Sequence, residues 1–126
     1  MKKIITTTEA PSPIGPYSQA ILINGTLYTS GQIALDAKTG ELVLDTIQLE
    51  TKKVMENMRA VLKAADMTFE NVVKTSIFLS SMKNFDEVNK VYASYFNEDE
   101  APARETVEVA ELPKQVNVEI SMIAVL

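Results

Sequence analysis

The chain is 126 residues long, carries a formal net charge of −5 and contains neither histidine nor cysteine, so we expect one domain over residues 1–126 without disulfides. These absences exclude Ser-His-Asp and Cys-His catalysis and remove the main ligands of transition metals, while the acidic charge and scattered lysines argue against nucleic-acid binding. No window reaches the roughly 20 apolar residues of a membrane helix, and no apolar region follows Lys2 and Lys3 as in a secretory signal, so we expect a cytoplasmic protein.

The N-terminal part of the chain predicts a short strand, a rigid loop and a hairpin. The strand covers residues 3–6, and the next segment, EAPSPIGPYSQA, holds three of the five prolines, which exclude a helix interior. Two β-rich runs, Ala20–Ile23 and Thr26–Gln32, flank Asn24-Gly25, a pair preferred in two-residue hairpin turns. Gly31, near the end of the second run, predicts a bulge or the close approach of another group.

Two amphipathic helices are predicted in the middle of the chain. The first covers residues 45–66, with Asp45 and Gln48 spaced as a capping box and an apolar stripe at helical spacing. The second covers residues 84–100, with Asn84 as its cap, and follows a β-branched strand at residues 71–81. Its acidic end, NEDE, opposes the helix dipole and is expected to fray into a loop.

The C-terminal strands complete an α+β fold. Arg104–Val109 and Gln115–Val125 predict two strands, which gives six strands and two helices in all. We expect a two-layer fold in which both helices pack on one face of a mixed six-stranded sheet. The last strand is apolar on both faces over residues 122–125. Because two helices cover only one face, we predict a homo-oligomer in which a neighbouring chain covers the other.

A rare arginine and an isolated glutamate stand out on these last strands. Alternation puts Arg104 and Thr106 on one face of their strand, and Glu119 shares a face with Asn117 and Ser121 of the next. One face of this region is therefore predicted to gather Arg104, Thr106 and Glu119. A buried guanidinium offers a fork that fits a carboxylate of the protein or of a ligand. The pattern alone favours a structural Arg104–Glu119 ion pair, or two charges at a rim, over a ligand site.

Three further candidate residues have ordinary alternatives. Tyr17 follows the proline-rich loop, where a half-buried tyrosine would anchor the loop to the strand. Ser30 is compatible with a hydrogen-bonded strand serine, and Asn89 with an exposed helix residue. None of these three signals is specific by itself.

Several motifs in order carry a resemblance to a known family. The segments IGPYSQA, YTSGQI, EVNKVYASYF, PAR and VEVAELPKQVNVEI resemble the reactive intermediate deaminase family, also called RidA/YjgF, over nearly the whole chain. The resemblance implies a chorismate-mutase-like fold and a homotrimer with clefts between subunits. It also implies hydrolysis of short 2-imino acids, such as 2-iminobutanoate and 2-iminopropanoate, to 2-oxo acids and ammonia, without cofactor or metal. These imines are released by pyridoxal-phosphate-dependent serine and threonine dehydratases, which implies a functional link to those enzymes.

The same resemblance implies roles for individual residues. Arg104 matches the family's arginine that binds the substrate carboxylate. Glu119 matches the acidic residue that positions or deprotonates the attacking water. Tyr17, Ser30 and Asn89 match residues that line the pocket, and Gly31 lets backbone approach the ligand. Thr106 is expected to contact the substrate at a position where the family commonly has a cysteine.

The chain departs from the common family pattern just after the arginine, where it reads Glu105-Thr106 instead of Ser-Cys. Glu105 is expected to point to the far face, although its charge beside Arg104 could weaken an anion site. If this position acts through its backbone carbonyl, the change to Thr106 is tolerable. If the side chain matters, the change affects substrate preference or rate. A non-catalytic metabolite-sensing or regulatory module using the same cleft therefore stays open as a second function. RNA cleavage, attached to some relatives, is disfavoured by the acidic charge and the missing histidine.

Overall fold

The computed structural model describes residues 1–126 and contains the predicted elements in the predicted order. The strands are β1 (Lys3–Ile5), β2 (Ala20–Ile23), β3 (Thr26–Thr29), β4 (Val72–Leu79), β5 (Ala103–Glu108) and β6 (Val118–Val125), and the helices are α1 (Ile47–Ala64) and α2 (Phe85–Ala93). The six strands form one sheet in the order β1-β2-β3-β6-β4-β5, with only β4 and β5 parallel. The predicted α+β fold with a mixed six-stranded sheet is confirmed.

The core lies between the helices and one face of the sheet. Alternate residues of β6 are buried there, from Val118 to Ala124. The apolar stripe predicted for α1 is also buried, including Val54, Met58 and Val61. The opposite face of the sheet, which we call the open face, has no helix over it. It carries side chains that are exposed or only partly buried: Ile21, Tyr28, Ser76, Phe78, Glu105, Glu119, Ser121 and Ile123.

The hairpin between β2 and β3 forms as predicted. Asn24 and Gly25 both have positive φ angles, 49° and 77°, as the favoured two-residue hairpin turn requires. The second strand is shorter than predicted, because β3 ends at Thr29. Gln32 instead makes an isolated bridge to Ile120 of β6, so the chain leaves and rejoins the sheet around Gly31.

The predicted cap of α1 is wrong, whereas Asn84 is the N-cap residue of α2 as predicted but lacks the predicted side-chain hydrogen bond. Helix α1 is capped by Thr46 rather than Asp45, because the Oγ1 atom of Thr46 accepts a hydrogen bond from the backbone N–H of Leu49 at 3.1 Å. Asn84 makes no capping side-chain bond. The chain enters α2 directly from a 3₁₀ turn, Met82–Asn84, whose own cap is Ser81. Short 3₁₀ turns of this kind commonly precede helices.

The remaining differences lie at turns near the C-terminus. The acidic segment after α2 forms a separate 3₁₀ turn, Glu98–Glu100, so it is outside the helix as expected, although α2 ends earlier than predicted, at Ala93. Strand β6 begins at Val118 rather than Gln115, because Lys114 and Gln115 both adopt φ angles of 56°, which a strand cannot accommodate. Neither helix combines the length and apolarity needed to cross a membrane.

Candidate active site

The first group of predicted site residues surrounds Glu119 on the open face. Glu119 is directly opposed by Gly31, which lies between β3 and the Gln32–Ile120 bridge. The two bridge residues exchange backbone hydrogen bonds of 2.8 and 3.1 Å. A Cβ atom placed on Gly31 would lie 2.5 Å from Oε2 of Glu119, so any larger residue there would require the Glu119 side chain to move. The predicted close approach at Gly31 is therefore confirmed, and the group approached is Glu119.

The environment of Glu119 makes its charged form less favourable than that of an exposed glutamate. Partial burial raises the pKa of the Glu119 carboxyl above its ordinary value, because the charged form loses hydration there. The structure contains no ion pair to this carboxylate. A carboxyl group in this state can take up or release a proton nearer to neutral pH than an exposed glutamate can.

Ser30 and Tyr17 lie beside Gly31 and complete what we call the glutamate cluster: Tyr17, Ser30, Gly31 and Glu119. The Ser30 hydroxyl donates to the carbonyl of Ser18 at 2.6 Å, so it ties the loop to the strand. The Tyr17 hydroxyl accepts a weak bond from the backbone N–H of Ile14 at 3.4 Å, while half of the residue remains exposed. Tyr17 and Gly31 line a small shared cavity of about 40 Å³.

Arg104 lies in a second group of residues at the other edge of the sheet. Its Nη1 donates to Oδ1 of Asn89 on α2 at 2.8 Å. The guanidinium carbon lies 5.0 Å from the centre of the Tyr92 ring and 5.8 Å from that of Phe85, within the range of cation–π attraction. Tyr92 is itself held by a 3.0 Å bond from its hydroxyl to Thr75. We call Phe85, Asn89, Tyr92, Arg104 and Thr106 the arginine cluster.

The arginine faces a cavity and has no acidic partner. The cavity has a volume of about 650 Å³ and is lined by Asn89, Tyr92, Ala93, Phe96, Glu98, Ala101, Pro102 and Arg104. None of the ion pairs in the structure involves Arg104, so the expected structural pair with Glu119 is absent. The guanidinium is therefore oriented and still able to bind an anion.

The two residues after Arg104 point to opposite faces of the sheet. The Glu105 side chain lies on the open face, as predicted, where it pairs with Lys74 at 2.8 Å and accepts a short hydrogen bond from Ser76. These bonds, with Lys74 the larger effect, lower the pKa of Glu105. Its charge is therefore turned away from Arg104. Thr106 lies on the helix side, and its buried hydroxyl has no hydrogen-bond partner within the chain.

The prediction that one face of the sheet gathers Arg104, Thr106 and Glu119 is wrong for a single chain. Arg104 is paired in register with Thr75, whose side chain points to α2, so Arg104 and Thr106 lie on the helix side. Glu119 is paired with Phe78 on the open face. The sheet itself thus separates the arginine cluster from the glutamate cluster.

Other residues that support these clusters were not identified from the sequence. Phe85 and Tyr92 of α2 both place their rings beside the Arg104 guanidinium. Gln19 is buried and bonds to the backbone of Thr7, Ala10 and Pro11. Glu50 is fully buried within α1. The sequence could have indicated its importance, because a charged residue within an otherwise apolar helix stripe is unusual. No group of three or more acidic side chains is placed to hold a metal ion.

Comparison with known proteins places the chain among described relatives. Residues 7–126 match the family described as endoribonuclease L-PSP. A RutC family protein of Synechocystis is 52% identical over 125 residues, covering 98% of this chain and 96% of that protein. The 2-iminobutanoate/2-iminopropanoate deaminase of mouse is 46% identical over 125 residues, covering 99% and 92%.

A solved structure extends this similarity to the fold. The crystal structure of Escherichia coli TdcF with bound serine has a TM-score of 0.92 and 39% sequence identity, and the match covers 98% of each chain. The shared architecture therefore extends over nearly the full length of the chain.

Proposed function

Since the chain belongs to the endoribonuclease L-PSP family, which includes the Rid proteins, we propose that it hydrolyses short 2-imino acids, such as 2-iminobutanoate and 2-iminopropanoate, to 2-oxo acids and ammonia. The observation that carries the proposal is the Arg104 guanidinium, which is oriented beside a cavity and has no acidic partner. Such an arginine suits a ligand carboxylate, which its planar fork can bind with two hydrogen bonds. The named activity of the mouse relative supports the same reaction.

We place the reaction in a cleft between two copies of the chain. Arg104 and Glu119 lie on opposite sides of the sheet, so one chain cannot bring both to the same ligand. The arginine cluster of one copy would therefore face the glutamate cluster of its neighbour. The open face supports this arrangement, because Ile21, Tyr28 and Ile123 form an uncovered apolar row across three strands. A homotrimer, as the family resemblance implies, would repeat this cleft three times.

The chemistry follows from the two clusters. Arg104 binds the carboxylate of the imino acid and so orients the C=N carbon for attack. Water adds its oxygen to this carbon, Glu119 accepts the proton of the water, and the imine nitrogen receives a proton. The resulting carbinolamine loses ammonia and leaves the 2-oxo acid. A carboxyl with a raised pKa suits both steps, since it can accept a proton and return it. Serine and threonine dehydratases would supply the imines.

A coupled assay tests this proposal. The protein is added to a threonine dehydratase, and release of 2-oxobutanoate is followed. We expect acceleration over the dehydratase alone and a loss of about 10- to 100-fold in kcat/KM for Arg104→Ala, since a charge-assisted bond contributes about 1.5–3 kcal/mol. Arg59→Ala is the matched control, because Arg59 is the other arginine and contacts only Glu56, Phe69 and Tyr95. No acceleration, or full activity in Arg104→Ala, would contradict the proposal.

The orphan hydroxyl of Thr106 favours one alternative, a regulatory module that binds a metabolite without converting it. Thr106 replaces the family's cysteine, and its hydroxyl has no partner within the chain. This alternative expects binding of 2-oxobutanoate that depends on Arg104, no turnover, and no effect of Glu119→Ala. Isothermal titration calorimetry beside the coupled assay separates the two functions. RNA cleavage, the activity in the family's name, is tested by incubating the purified protein with RNA.

A further inference from the structure

Among the buried polar residues of helix α1, Glu50 and Asn57 bond to backbone that leads to the glutamate cluster. Glu50 and Asn57 are seven residues apart, which places them on the same side of the helix, two turns from each other. Their exposed fractions are 0% and 1%. A buried carboxylate or amide is costly unless its hydrogen bonds are satisfied, so the partners of these two residues show what they hold.

Glu50 holds the backbone at the start of β6. Its Oε2 accepts the backbone N–H groups of Asn117 and Val118 at 2.7 and 3.0 Å, and its Oε1 accepts the side-chain amide of Asn117 at 2.8 Å. The residue that follows these two is Glu119. A change in the position of the Glu50 carboxylate would therefore move the backbone directly before the proposed proton-transfer group.

Asn57 holds the other side of the same cluster. Its Nδ2 donates to the carbonyls of Ile33 and Leu35 at 3.0 and 2.9 Å. These carbonyls lie just after Gly31 and Gln32, so Asn57 anchors the segment that opposes Glu119. The Gln32–Ile120 bridge joins the segment to β6. Two side chains of one helix thus form hydrogen bonds with both backbone segments that meet at Glu119.

The Glu119 carboxylate occupies the space directly beside the backbone of Gly31. A single added carbon on Gly31 would come within 2.5 Å of the Glu119 carboxylate. A shift of one segment against the other therefore changes the room available to the carboxyl group and to any water beside it. Rigid elements hold reacting groups more precisely than loops do, and α1 is the longest rigid element in the chain.

We infer that Glu50 and Asn57 are positioning residues that set the place of Glu119 against Gly31, an inference that rests on the proposed deaminase function. They act through backbone and make no contact with Arg104, which binds the carboxylate of the ligand. Their loss is therefore expected to slow the chemical step while leaving substrate binding nearly unchanged.

Steady-state kinetics of imine hydrolysis provides the first test. For Glu50→Ala we expect kcat to fall on the order of 10- to 100-fold, because a small misplacement of a reacting group can slow the chemical step by this much. We expect KM to change by no more than about twofold. Glu50→Gln should recover most of kcat, because its amide oxygen can still accept both backbone N–H groups. Val61→Ala is the control for lost stability, since Val61 is equally buried near the other end of α1. Equal kcat in Glu50→Ala and Val61→Ala would overturn the inference.

A titration of Glu119 tests the same inference without using turnover. The carboxyl carbon of Glu119 is followed by ¹³C NMR against pH in the wild-type protein, in Asn57→Ala and in Val61→Ala. Asn57→Ala changes no charge, so a fall in the pKa of Glu119 toward its ordinary value would report a looser, better hydrated site. We expect that fall in Asn57→Ala only. An unchanged titration in Asn57→Ala overturns the inference, even where the wild-type protein shows no imine hydrolysis and the proposed function itself has failed.

Discussion

At the scale of single residues, Glu119 combines the proposed chemistry with a cost in stability. Burial raises its pKa, so the folded protein binds this proton more tightly than the unfolded chain does. Its contribution to the free energy of unfolding is therefore largest below the ordinary pKa of 4.5 and is lost as pH rises through the raised value. Glu119→Gln should unfold at a higher temperature than wild type at pH 7, and the difference should vanish below pH 4.5.

Calorimetric unfolding of both proteins at equal concentration checks this expectation. The same substitution should lower imine hydrolysis by about 10²- to 10⁴-fold, the usual contribution of a general acid–base group. A thermal midpoint that differs equally at both pH values would show that charge burial is not the cause.

Thr106 gives a second prediction at the residue scale. Its buried hydroxyl lacks a partner within the chain, and an unsatisfied buried hydroxyl costs about 1–3 kcal/mol. Thr106→Val, which has nearly the same shape, should therefore increase the free energy of unfolding by about 1 kcal/mol. Urea unfolding measures the change, with Thr75→Val as the control, because the Thr75 hydroxyl does have a partner, Tyr92. A loss of stability in Thr106→Val would mean that the hydroxyl is satisfied by another copy of the chain.

At the scale of elements, the proline-rich loop before β2 depends on one side chain. Gln19 accepts from the backbone N–H of Thr7 at 2.7 Å and donates to three carbonyls, of Thr7, Ala10 and Pro11. The loop leads to Tyr17, so its order decides where that ring lies. Gln19→Ala leaves all of these backbone groups unpaired, and we expect it to loosen the loop without unfolding the sheet.

Hydrogen exchange measures this effect amide by amide. The Thr7 amide should exchange much faster in Gln19→Ala, while the Met122 amide of β6, which donates to Thr29, should keep its protection. Gln19→Glu is the matched variant, because it keeps the acceptor for Thr7 and removes the donors. Unchanged exchange at Thr7 in Gln19→Ala would show that the prolines alone order the loop.

At the scale of the whole molecule, a cleft shared between copies can be tested by complementation. Arg104→Ala and Glu119→Gln chains are each expected to be nearly inactive. When the two are refolded together, some clefts receive an intact arginine from one chain and an intact glutamate from the other. Random mixing at equal amounts restores about a quarter of the clefts in a closed ring. Each variant refolded alone is the control, and no recovery in the mixture would contradict a cleft that combines Arg104 of one copy with Glu119 of another.

The sequence by itself determined the local features of this protein. Asn24-Gly25 predicted the hairpin because few residue pairs adopt two successive positive φ angles. The 3.6-residue spacing of apolar residues predicted the buried side of α1, and strand alternation predicted that Glu105 points away from Arg104. These features depend on neighbours within a few residues, so a pattern in the chain contains the necessary information.

Only the tertiary structure decided how the candidate residues relate to one another. Alternation assigns faces within β5 and within β6, but the two strands are not neighbours: β4 lies between them and pairs with each in its own register. That register puts Arg104 with Thr75 on the helix side and Glu119 with Phe78 on the open face. A shift of one residue would have reversed the assignment, because successive side chains of a strand point to opposite faces. For this reason the sequence could indicate Arg104 and Glu119, whereas the separation of the two by the sheet required the fold.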